Sequence, residues 1–493
     1  MRRDIQFLRK GRPVRLADAS PTLTLLDYLR VEERATGTKE GCAEGDCGAC
    51  TIVLRRVRNG GVVYEPVNAC ILLAGQADGA DVITVEDLAD GVRLHPVQQA
   101  MVDLHGSQCG FCTPGFVMAL FALYHAPRRA EVNRSVVNDF IAGNLCRCTG
   151  YRPIVDAGLA ACANGAGDRF SEEESDVLSA LAALDSGDLM VGTPERFFAA
   201  PASIAALAAL YEAHPDAVLV GGATDVGLWI TKQMRDLPKI IWLGRVKDLD
   251  AIDDADHAVT FGAMVTHETA LPHLAAIDPD LGEMMRRFAS VQIRTSGTIG
   301  GNIANGSPIG DTPPALIALG STLTLQRGDA TRTLPLEDFF IAYGKQNRKP
   351  GEFVRSVRVP KLGADEHFRC YKISKRFDQD ISAVMGAFKI TLDGEKVASA
   401  RIAFGGMAAI PKRASRTEAA LIGAGVRDAD SWEAALLAFE DDFAPITDQR
   451  ASADYRRKVA RILLCKALME IAGTPTHVTR VVGFREDAHA AAP

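Results

Sequence analysis

Eight of the eleven cysteines of this chain lie in two tight groups, and their spacing is typical of metal ligands. The first group is Cys42, Cys47, Cys50 and Cys70, and the second is Cys109, Cys112, Cys146 and Cys148. The N-terminus has no apolar export signal, and clustered cysteines in a reducing compartment more often bind metal or react than form disulfides. Cys162, Cys370 and Cys465 are scattered, and we expect them to be buried apolar thiols.

The first group has the spacing C-x4-C-x2-C with a distant fourth cysteine, which predicts a [2Fe–2S] cluster of the plant ferredoxin type. Two irons and two sulfides need four thiolates, and three of them can come from one loop only if that loop curls around the cluster. Gly41, Gly45 and Gly48 permit positive φ angles and close approach of the backbone, and their N–H groups are expected to point toward cluster sulfur. The alternative is structural zinc, but zinc usually takes paired C-x2–4-C knuckles, which favours the cluster here.

The second group consists of Cys109-x2-Cys112 in GSQCGFCTPG and Cys146-x-Cys148 in GNLCRCTGYRP. Taken alone, these pairs would also suit a zinc site or a reactive thiol pair. Beside a ferredoxin-like module they predict a second [2Fe–2S] cluster. Two clusters in series conduct electrons, and they therefore need an electron donor and an acceptor.

Two glycine-rich stretches indicate where a flavin would bind. AVLVGGATDVG (217–227) predicts a buried strand that runs into a glycine loop, and RTSGTIGGNIANGSPIGD (294–311) predicts a second loop rich in Gly, Ser and Thr. Such loops can bind a pyrophosphate, although neither matches G-x-G-x-x-G and each alone could be a plain turn. Clusters pass single electrons whereas substrates and nicotinamides exchange two, so we expect FAD to join them.

The elements that position these motifs predict an α+β multidomain protein. Residues 1–88 form a ferredoxin-like β-grasp domain and residues 89–163 a helical [2Fe–2S] bundle. Residues 164–190 are an acidic linker with a helical tail, residues 191–362 a two-part α+β FAD-binding domain, and residues 363–485 a C-terminal α+β flavoprotein domain.

Within the first domain, we expect two strands around the turn Lys10-Gly11 and a hairpin through Asn59-Gly60-Gly61. Between them, Ser20-Pro21 predicts the start of a helix over TLTLLDYLR.

Composition excludes several function classes. The chain has 493 residues, of which 47% are hydrophobic and 24% charged, and a net charge of -7. This mild acidity argues against nucleic acid or an anionic membrane as the main partner. No stretch reaches the ~18 apolar residues of a membrane span, so we expect a cytoplasmic protein.

The motifs GCAEGDCGACTIVL, GSQCGFCTPG, GNLCRCTGYRPI, RTSGTIGGNIANGSPIGD and KRFDQDISAV, in this order, resemble those of the molybdenum hydroxylases. The resemblance is greatest to the small subunits of bacterial xanthine dehydrogenases and extends over about residues 3–480. It implies that the first cysteine group binds the cluster nearer the flavin and the second group the cluster nearer the molybdenum. Gln108 would lie beside the pterin.

The resemblance also implies contacts with FAD. One set would wrap the pyrophosphate and ribityl chain: Leu219, Val220, Gly221, Gly222, Ala223, Thr224, Asp225 and Val226. Phe288 would pack near the flavin ring. The remaining contacts would be Thr298, Gly301 and Asn302 in the cradle, Asp311 at the adenosine or phosphate end, and Phe353 or Val354 with Lys372 on the far side.

The function implied is an oxidoreductase of the xanthine dehydrogenase type. Electrons from hypoxanthine or xanthine would leave a molybdopterin centre on a large partner subunit, cross both clusters and FAD, and reach NAD+ as co-substrate. The hydroxylation would need no catalytic residue on this chain, and the complex would be a dimer of heterodimers. The loop FDQD (Phe377–Asp380) resembles a loop that tunes the choice between NAD+ and O2; the alternative is a solvated charged turn.

Two other functions stay open at this stage. One is the same role with an aldehyde or another N-heterocycle as substrate, since the substrate pocket would lie on the partner. The other is a stand-alone flavin–iron–sulfur reductase or redox sensor with no molybdenum partner.

Overall fold

Alternating apolar residues and short glycine turns divide the chain into brief strands, which a computed structural model describes for residues 1–127, 129–163 and 167–480. The strands are β1 Ile5–Arg9, β2 Arg12–Leu16, β3 Thr51–Arg58, β4 Gly61–Asn68, β5 Asp81–Ile83, β6 Leu189–Gly192, β7 Phe197–Ala200, β8 Val218–Val220, β9 Lys239–Trp242, β10 Ile252–Ala255, β11 Ala258–Gly262, β12 Thr322–Arg327, β13 Ala330–Pro335, β14 Phe340–Ala342, β15 Lys345–Gln346, β16 Phe353–Pro360, β17 Glu366–Ile373, β18 Val384–Asp393, β19 Lys396–Gly405 and β20 Lys412–Arg413.

Helices connect and cover these strands. They are α1 Leu25–Asp27, α2 Pro96–Asp103, α3 Thr113–Tyr124, α4 Arg134–Ile141, α5 Arg152–Ala163, α6 Arg169–Glu172, α7 Glu174–Ala182, α8 Ile204–Ala213, α9 Val226–Thr231, α10 His267–Ile277, α11 Pro279–Arg287, α12 Val291–Ser296, α13 Ile299–Asn305, α14 Thr312–Leu319, α15 Ser415–Leu421, α16 Glu433–Asp442, α17 Ala453–Ile471 and α18 Thr476–Thr479. Within the described residues, no helix combines the length and apolar character needed to cross a membrane.

The chain divides into two compact units. The first unit comprises residues 1–247 and 290–297, and the second comprises residues 248–289 and the chain from 298 onward. Residues 164–166 of the predicted linker and residues 481–485 of the predicted C-terminal domain lie outside the described residues.

The first unit opens with a mixed five-stranded sheet in the order β2-β1-β5-β3-β4, in which only the β1–β5 pair is parallel. The predicted hairpin is confirmed, because Asn59 and Gly60 at its tip both have the positive φ of a type I′ turn, 50° and 81°. The helix predicted to begin at Ser20-Pro21 is wrong in its start. Thr24 is the N-cap, since its hydroxyl accepts from Asp27 N at 3.0 Å, and the helix continues past Asp27 as a π turn.

Helices α2 to α5 form the predicted helical module. Helix α3 is buried from Gly115 to its end at Tyr124, so its apolar surface is the centre of this module's core. His95 caps α2, where Pro96 occupies the first helical position. The predicted linker is ordered where it is described, as α6 and α7, and Val177 and Leu181 of α7 pack against Leu8 of β1.

A second sheet of the first unit has the order β6-β7-β9-β8, and β7, β9 and β8 are parallel. Helix α8 connects β7 to β8, as parallel strands require. The predicted strand in AVLVGGATDVG is confirmed as β8, and the glycine loop that follows it leads into α9.

The second unit contains an antiparallel sheet in the order β10-β11-β16-β12-β13 and a second one in the order β17-β18-β19-β20. All eight residues of α14 are buried, and the helix packs on β18 and β19. The loop predicted over 294–311 is wrong in part, because residues 294–296 end α12 and residues 299–305 form α13. Thr298 caps this helix and Gly306 ends it in the left-handed region at φ 63°.

Candidate functional site

The four cysteines of the first group converge on one place. The Cys42 sulfur is in hydrogen-bonding contact with those of Cys47 and Cys70, and the Cys70 sulfur also contacts that of Cys50. Cys50 directly precedes β3 and Cys70 lies just beyond β4, so the hairpin brings the distant fourth ligand to the loop. Contact with Cys47 and Cys70 lowers the pKa of Cys42, whereas Cys42 raises the pKa of Cys70. The site therefore favours thiolate at Cys42.

The loop that carries three of these cysteines curls as predicted. Gly45 and Gly48 have φ angles of 80° and 68°, which strongly favour glycine, whereas the prediction of a positive φ is wrong for Gly41. The N–H groups directed at the Cys42 sulfur belong to Glu44, Asp46 and Cys47, with N···S distances of 3.5, 3.3 and 3.3 Å respectively. The glycines thus allow neighbouring residues to donate, and donation by Gly45 and Gly48 themselves stays a prediction.

The second group also converges, because each cysteine of the first pair contacts one cysteine of the second pair. The sulfur of Cys109 meets that of Cys148, and the sulfur of Cys112 meets that of Cys146. Burial opposes ionisation of Cys146, but donation from the Thr149 hydroxyl and N–H and from Cys148 N lowers the pKa of Cys146 to about 7. Burial and contact with Cys146 raise the pKa of Cys112 to about 12.

Both sites fit a [2Fe–2S] cluster, because each supplies four thiols from two chain segments and N–H donors to at least one sulfur. The eight predicted ligands are therefore brought together in the groups that their spacing indicated.

A hydrogen bond joins the two cysteine sites directly. Leu145 N, adjacent to Cys146, donates to the carbonyl of Cys47 at 2.9 Å. Asn144 Nδ2 donates to Gly48 O at 3.0 Å, and Gln292 Nε2 donates to Asn144 Oδ1 at 2.8 Å. Sequence analysis missed Asn144 and Gln292, because an amide among glycines has no spacing that indicates such a role.

The glycine loop after β8 is held by its neighbours in the first unit. A Cβ on Gly222 would lie 1.8 Å from Ser296 O, so only glycine fits there. The Gly221 carbonyl accepts from Gln76 Nε2 and from Trp242 Nε1, both at 3.1 Å. These partners therefore fix the backbone of the predicted pyrophosphate loop.

Helix α9, which follows this loop, contacts the first cysteine site on both sides. Thr231 Oγ1 donates to Ala43 O at 2.7 Å, next to Cys42. A Cβ on Gly227 would lie 2.7 Å from Ile71 O, next to Cys70. The predicted flavin loop and the first cysteine site are consequently neighbours within the first unit.

In the second unit, the predicted cradle residues form two connected sets. Thr298 Oγ1 accepts from Gly301 N at 3.0 Å, and Asn302 Oδ1 accepts from the Thr312 hydroxyl. Asp311 and Lys372 are a buried ion pair, with Lys372 Nζ 2.6 Å from Asp311 Oδ2, and Ser382 donates to the other carboxylate oxygen. Phe288 is the C-cap of α11, and the centroid of its ring lies 4.7 Å from the centroid of the His267 ring.

Phe353 and Val354 are both buried in β16, with 1% and 6% of their surface exposed.

The FDQD loop is held rather than free in solvent. Arg287 Nε donates to Phe377 O at 3.0 Å, and its guanidinium lies 4.4 Å from the centroid of the Phe377 ring. Arg286 Nη1 lies 3.6 Å from Asp378 Oδ1. The end of α11 therefore contacts this loop, while the Phe377 side chain stays 40% exposed.

Three family models match the chain. They are a [2Fe-2S] binding domain over residues 84–159, an FAD binding domain in molybdopterin dehydrogenase over 192–362, and a CO dehydrogenase flavoprotein C-terminal domain over 369–471. Together with the two thiol sites, they decide the assignment. The chain belongs to the molybdenum hydroxylase family.

Relatives in this family are xanthine dehydrogenases. That of Emericella nidulans is 33% identical over 89% of this chain and 36% of its own length, and the xanthine dehydrogenase/oxidase of Gallus gallus is 30% identical over 90% and 38%. The chain thus spans little more than a third of these relatives.

Two solved structures match part of this chain. CO dehydrogenase from Oligotropha carboxidovorans is 28% identical, with a TM-score of 0.52, and the match covers 56% of this chain and 96% of that chain. Quinoline 2-oxidoreductase from Pseudomonas putida 86 is 24% identical, with a TM-score of 0.52 over 57% and 98%, which shows a common fold alone. The predicted α+β multidomain fold and the expected FAD and [2Fe–2S] binding domains are confirmed.

Proposed function

We propose that this chain is the electron-transfer part of a xanthine dehydrogenase. In this proposal it holds two [2Fe–2S] clusters and FAD, receives electrons from hypoxanthine or xanthine at a molybdopterin centre on a large partner subunit, and delivers them to NAD+. The similarity to xanthine dehydrogenases along most of the chain supports the choice of substrate. The assembly proposed is a dimer of heterodimers, as the family resemblance implies.

The observation that carries the proposal is an unbroken series of contacts in the first unit. The second cysteine site reaches the first through Leu145 N and Cys47 O at 2.9 Å. The first site reaches the helix behind the predicted flavin loop through Thr231 Oγ1 and Ala43 O at 2.7 Å. An order of second site, first site and flavin follows from these contacts.

When bound, the clusters carry single electrons and FAD exchanges either one or two, so the three groups can connect a two-electron donor to a two-electron acceptor. The chain's own residues hold and shield them. N–H groups of Asp46 and Cys47 stabilise charge on the Cys42 sulfur, and those of Cys148 and Thr149 do so at Cys146.

FAD binding is proposed for residues of both units, each set as the resemblance assigns it. In the first unit these are residues 219–226, where Gly222 and the positive φ of Ala223, 60°, shape the loop. In the second unit they are Phe288, Thr298, Gly301, Asn302, Asp311, Val354 and Lys372. Since the Asp311 carboxylate is already neutralised by Lys372, its proposed contact with FAD would be through a hydrogen bond rather than through a net charge.

A partner subunit at the second cysteine site is supported by what that site exposes. Cys109 and Cys148 are exposed thiols, and the neighbouring apolar residues Phe111 and Leu145 are 49% and 40% exposed. Apolar side chains beside a redox site are typical of a surface that another protein covers.

The test is to purify the native complex from its own host. We expect four irons and one FAD per copy of this chain, molybdenum on a second polypeptide, and turnover of xanthine with NAD+. Two irons would contradict one of the cluster sites, and turnover with O2 alone would contradict NAD+ as acceptor. A complex that oxidises aldehydes or another N-heterocycle but not xanthine would contradict the substrate, and a molybdenum-free monomer that reduces NAD+ would contradict the partner.

A further inference from the structure

Asp168, at the start of the segment between the helical module and β6, binds two histidines of that module. Its Oδ2 accepts from His95 Nε2 at 2.7 Å and from His125 Nε2 at 3.0 Å. Its Oδ1 accepts from the N–H and the hydroxyl of Ser171, both at 2.9 Å, which caps α6. The side chain is only 4% exposed, so this carboxylate is saturated with donors inside the protein.

The same segment binds the β-sheet that carries the first cysteine site. Tyr64 of β4 donates its hydroxyl to Phe170 O at 3.2 Å, and the Arg55 guanidinium of β3 lies 5.3 Å from the centroid of the Phe170 ring. Further along, Val177 packs against Leu8 of β1. Residues 168–182, which we name the clasp, therefore contact both cysteine-bearing modules.

A metal ion is the obvious alternative for two histidines and one aspartate whose ligand atoms lie within 4.8 Å of one another. Val97 N donates to His95 Nδ1 at 3.2 Å, so Nδ1 carries a lone pair. In a neutral imidazole the proton is then on Nε2, where it is donated to Asp168. A metal would need the lone pair of Nε2, and the backbone N–H of Val97 opposes the tautomer that supplies it.

The charge states agree with a hydrogen-bonded tie. Burial opposes ionisation of Asp168, yet the bonds from His125 and His95 hold the pKa of that carboxyl well below its usual range. Burial lowers the pKa of His125, whose ring stacks on Tyr64 at 3.9 Å with an interplanar angle of 7°. An ionised carboxylate that accepts from two imidazole N–H groups forms strong, charge-assisted bonds.

The position of the clasp determines its mechanical effect. His125 ends α3 and Cys112 begins it, so the clasp holds the end of this helix opposite the second cysteine site. A helix of 12 residues is about 18 Å long. The bond from Leu145 to Cys47 ties the two modules near the cysteines, and the clasp ties them at the far end of α3. Between these two ties α3 packs on β3, and Val53 of β3 shares a core with α3, but apolar packing has no preferred direction. The clasp adds hydrogen bonds of fixed direction at the far end of this interface.

We propose that Asp168 is a positioning residue for electron transfer, because the clasp fixes the distance and orientation between the two cysteine sites. The inference rests on the proposed function in requiring a cluster at each site. It assigns to the segment between the modules a role in electron transfer rather than that of a passive connection.

The test compares Asp168→Asn with wild type in the whole complex. Asparagine retains the helix cap but loses the carboxylate that accepts from both histidines. We expect unchanged iron and sulfide content, a loss of resolved magnetic splitting between the two reduced clusters in electron paramagnetic resonance, and slower inter-cluster electron transfer in flash reduction. Asp176→Asn, on the exposed face of α7, is the matched control and should leave the splitting unchanged.

The outcomes separate the two proposals. If wild type lacks two distinct cluster signals, the proposed function fails whatever the variants do. If wild type has both and Asp168→Asn retains its splitting, the clasp proposal is overturned. If Asp168→Asn loses its clusters, His125→Gln is measured instead, because it removes only the bond from His125 to Asp168. An unchanged splitting in His125→Gln overturns the proposal. Loss of the clusters in both variants also overturns it. One equivalent of zinc, lost on Asp168→Asn, would also overturn it.

Discussion

Gly48 lies where the two cysteine sites meet, and a single added methyl group tests that arrangement. Its φ of 68° is unfavourable for any residue with a Cβ, and a Cβ built there would lie 2.3 Å from Gly143 O. The contact is with backbone rather than with a flexible side chain, so the segment that leads to Cys146 must move. Gly48→Ala therefore separates the two cysteine loops.

The magnitude follows from two contributions. The left-handed conformation costs alanine about 1–2 kcal/mol. Moving residues 143–145 weakens the bonds from Leu145 N to Cys47 O and from Asn144 Nδ2 to Gly48 O, each worth about 1 kcal/mol. Together these effects predict a loss of about 3–4 kcal/mol, which lowers the Tm of a unit of this size by about 10 °C.

Gly60→Ala is the matched control, because Gly60 has a φ of 81° in the same sheet and its Cβ would meet no atom within 4 Å. It should show the backbone cost alone, about 1–2 kcal/mol or about 4 °C. Differential scanning fluorimetry measures both, and iron content with electron paramagnetic resonance shows whether the clusters are retained. If Gly48→Ala is no more destabilising than Gly60→Ala and leaves the cluster spectrum unchanged, the two loops are not in contact and the reasoning is refuted.

Three further changes test other parts of the molecule. Thr231→Val removes the 2.7 Å bond to Ala43 O and should cost about 1 kcal/mol and slow reduction of FAD by the clusters, measured by stopped-flow absorbance. Lys372→Met leaves Asp311 buried and unpaired, so we expect a loss of about 3–5 kcal/mol in the free energy of unfolding. Burial, with the nearby charge of Asp280, raises the pKa of Asp278 to about 7, so folding favours its protonated form. Stability should fall by up to about 4 kcal/mol as pH rises from about 4 to about 7, and Asp278→Asn should flatten this dependence of Tm on pH.

Each of these has its own control. Thr231→Ser keeps the hydroxyl and should resemble wild type. Lys375→Met removes an exposed lysine near Lys372 and should lower the free energy of unfolding by less than about 1 kcal/mol. Equal effects of the two lysine variants would contradict the buried pair. For Asp278, asparagine still caps α11, so an unchanged pH slope would show that this carboxyl is not responsible.

Local spacing determined much of the chemistry. The three cysteines of one loop, the glycines between them and the tight pairs of the second group indicated clusters, because ligands close in sequence are forced to be close in space. The buried strand β8 was predicted from its continuous run of apolar residues. Local rules failed where two of them competed. Ser20 and Thr24 are both good helix caps, and only packing of Leu25 and Leu26 in the core selected Thr24. The glycine-rich stretch around Thr298 formed a helix because its cap and the buried Ile299 and Ile303 outweigh the low propensity of glycine.

What only the tertiary structure decided is how the modules are joined. Nothing in the spacing of Cys109, Cys112, Cys146 and Cys148 indicates which sulfurs meet, since that depends on how α3 and α5 pack. Asp168 and His95 are 73 positions apart, and both residue types are common on surfaces. Their bond exists because the module buries them together, where an unpartnered carboxylate would be costly. The sequence by itself thus indicated which side chains could act as ligands, and the packing of helices against sheets decided which of those side chains lie together.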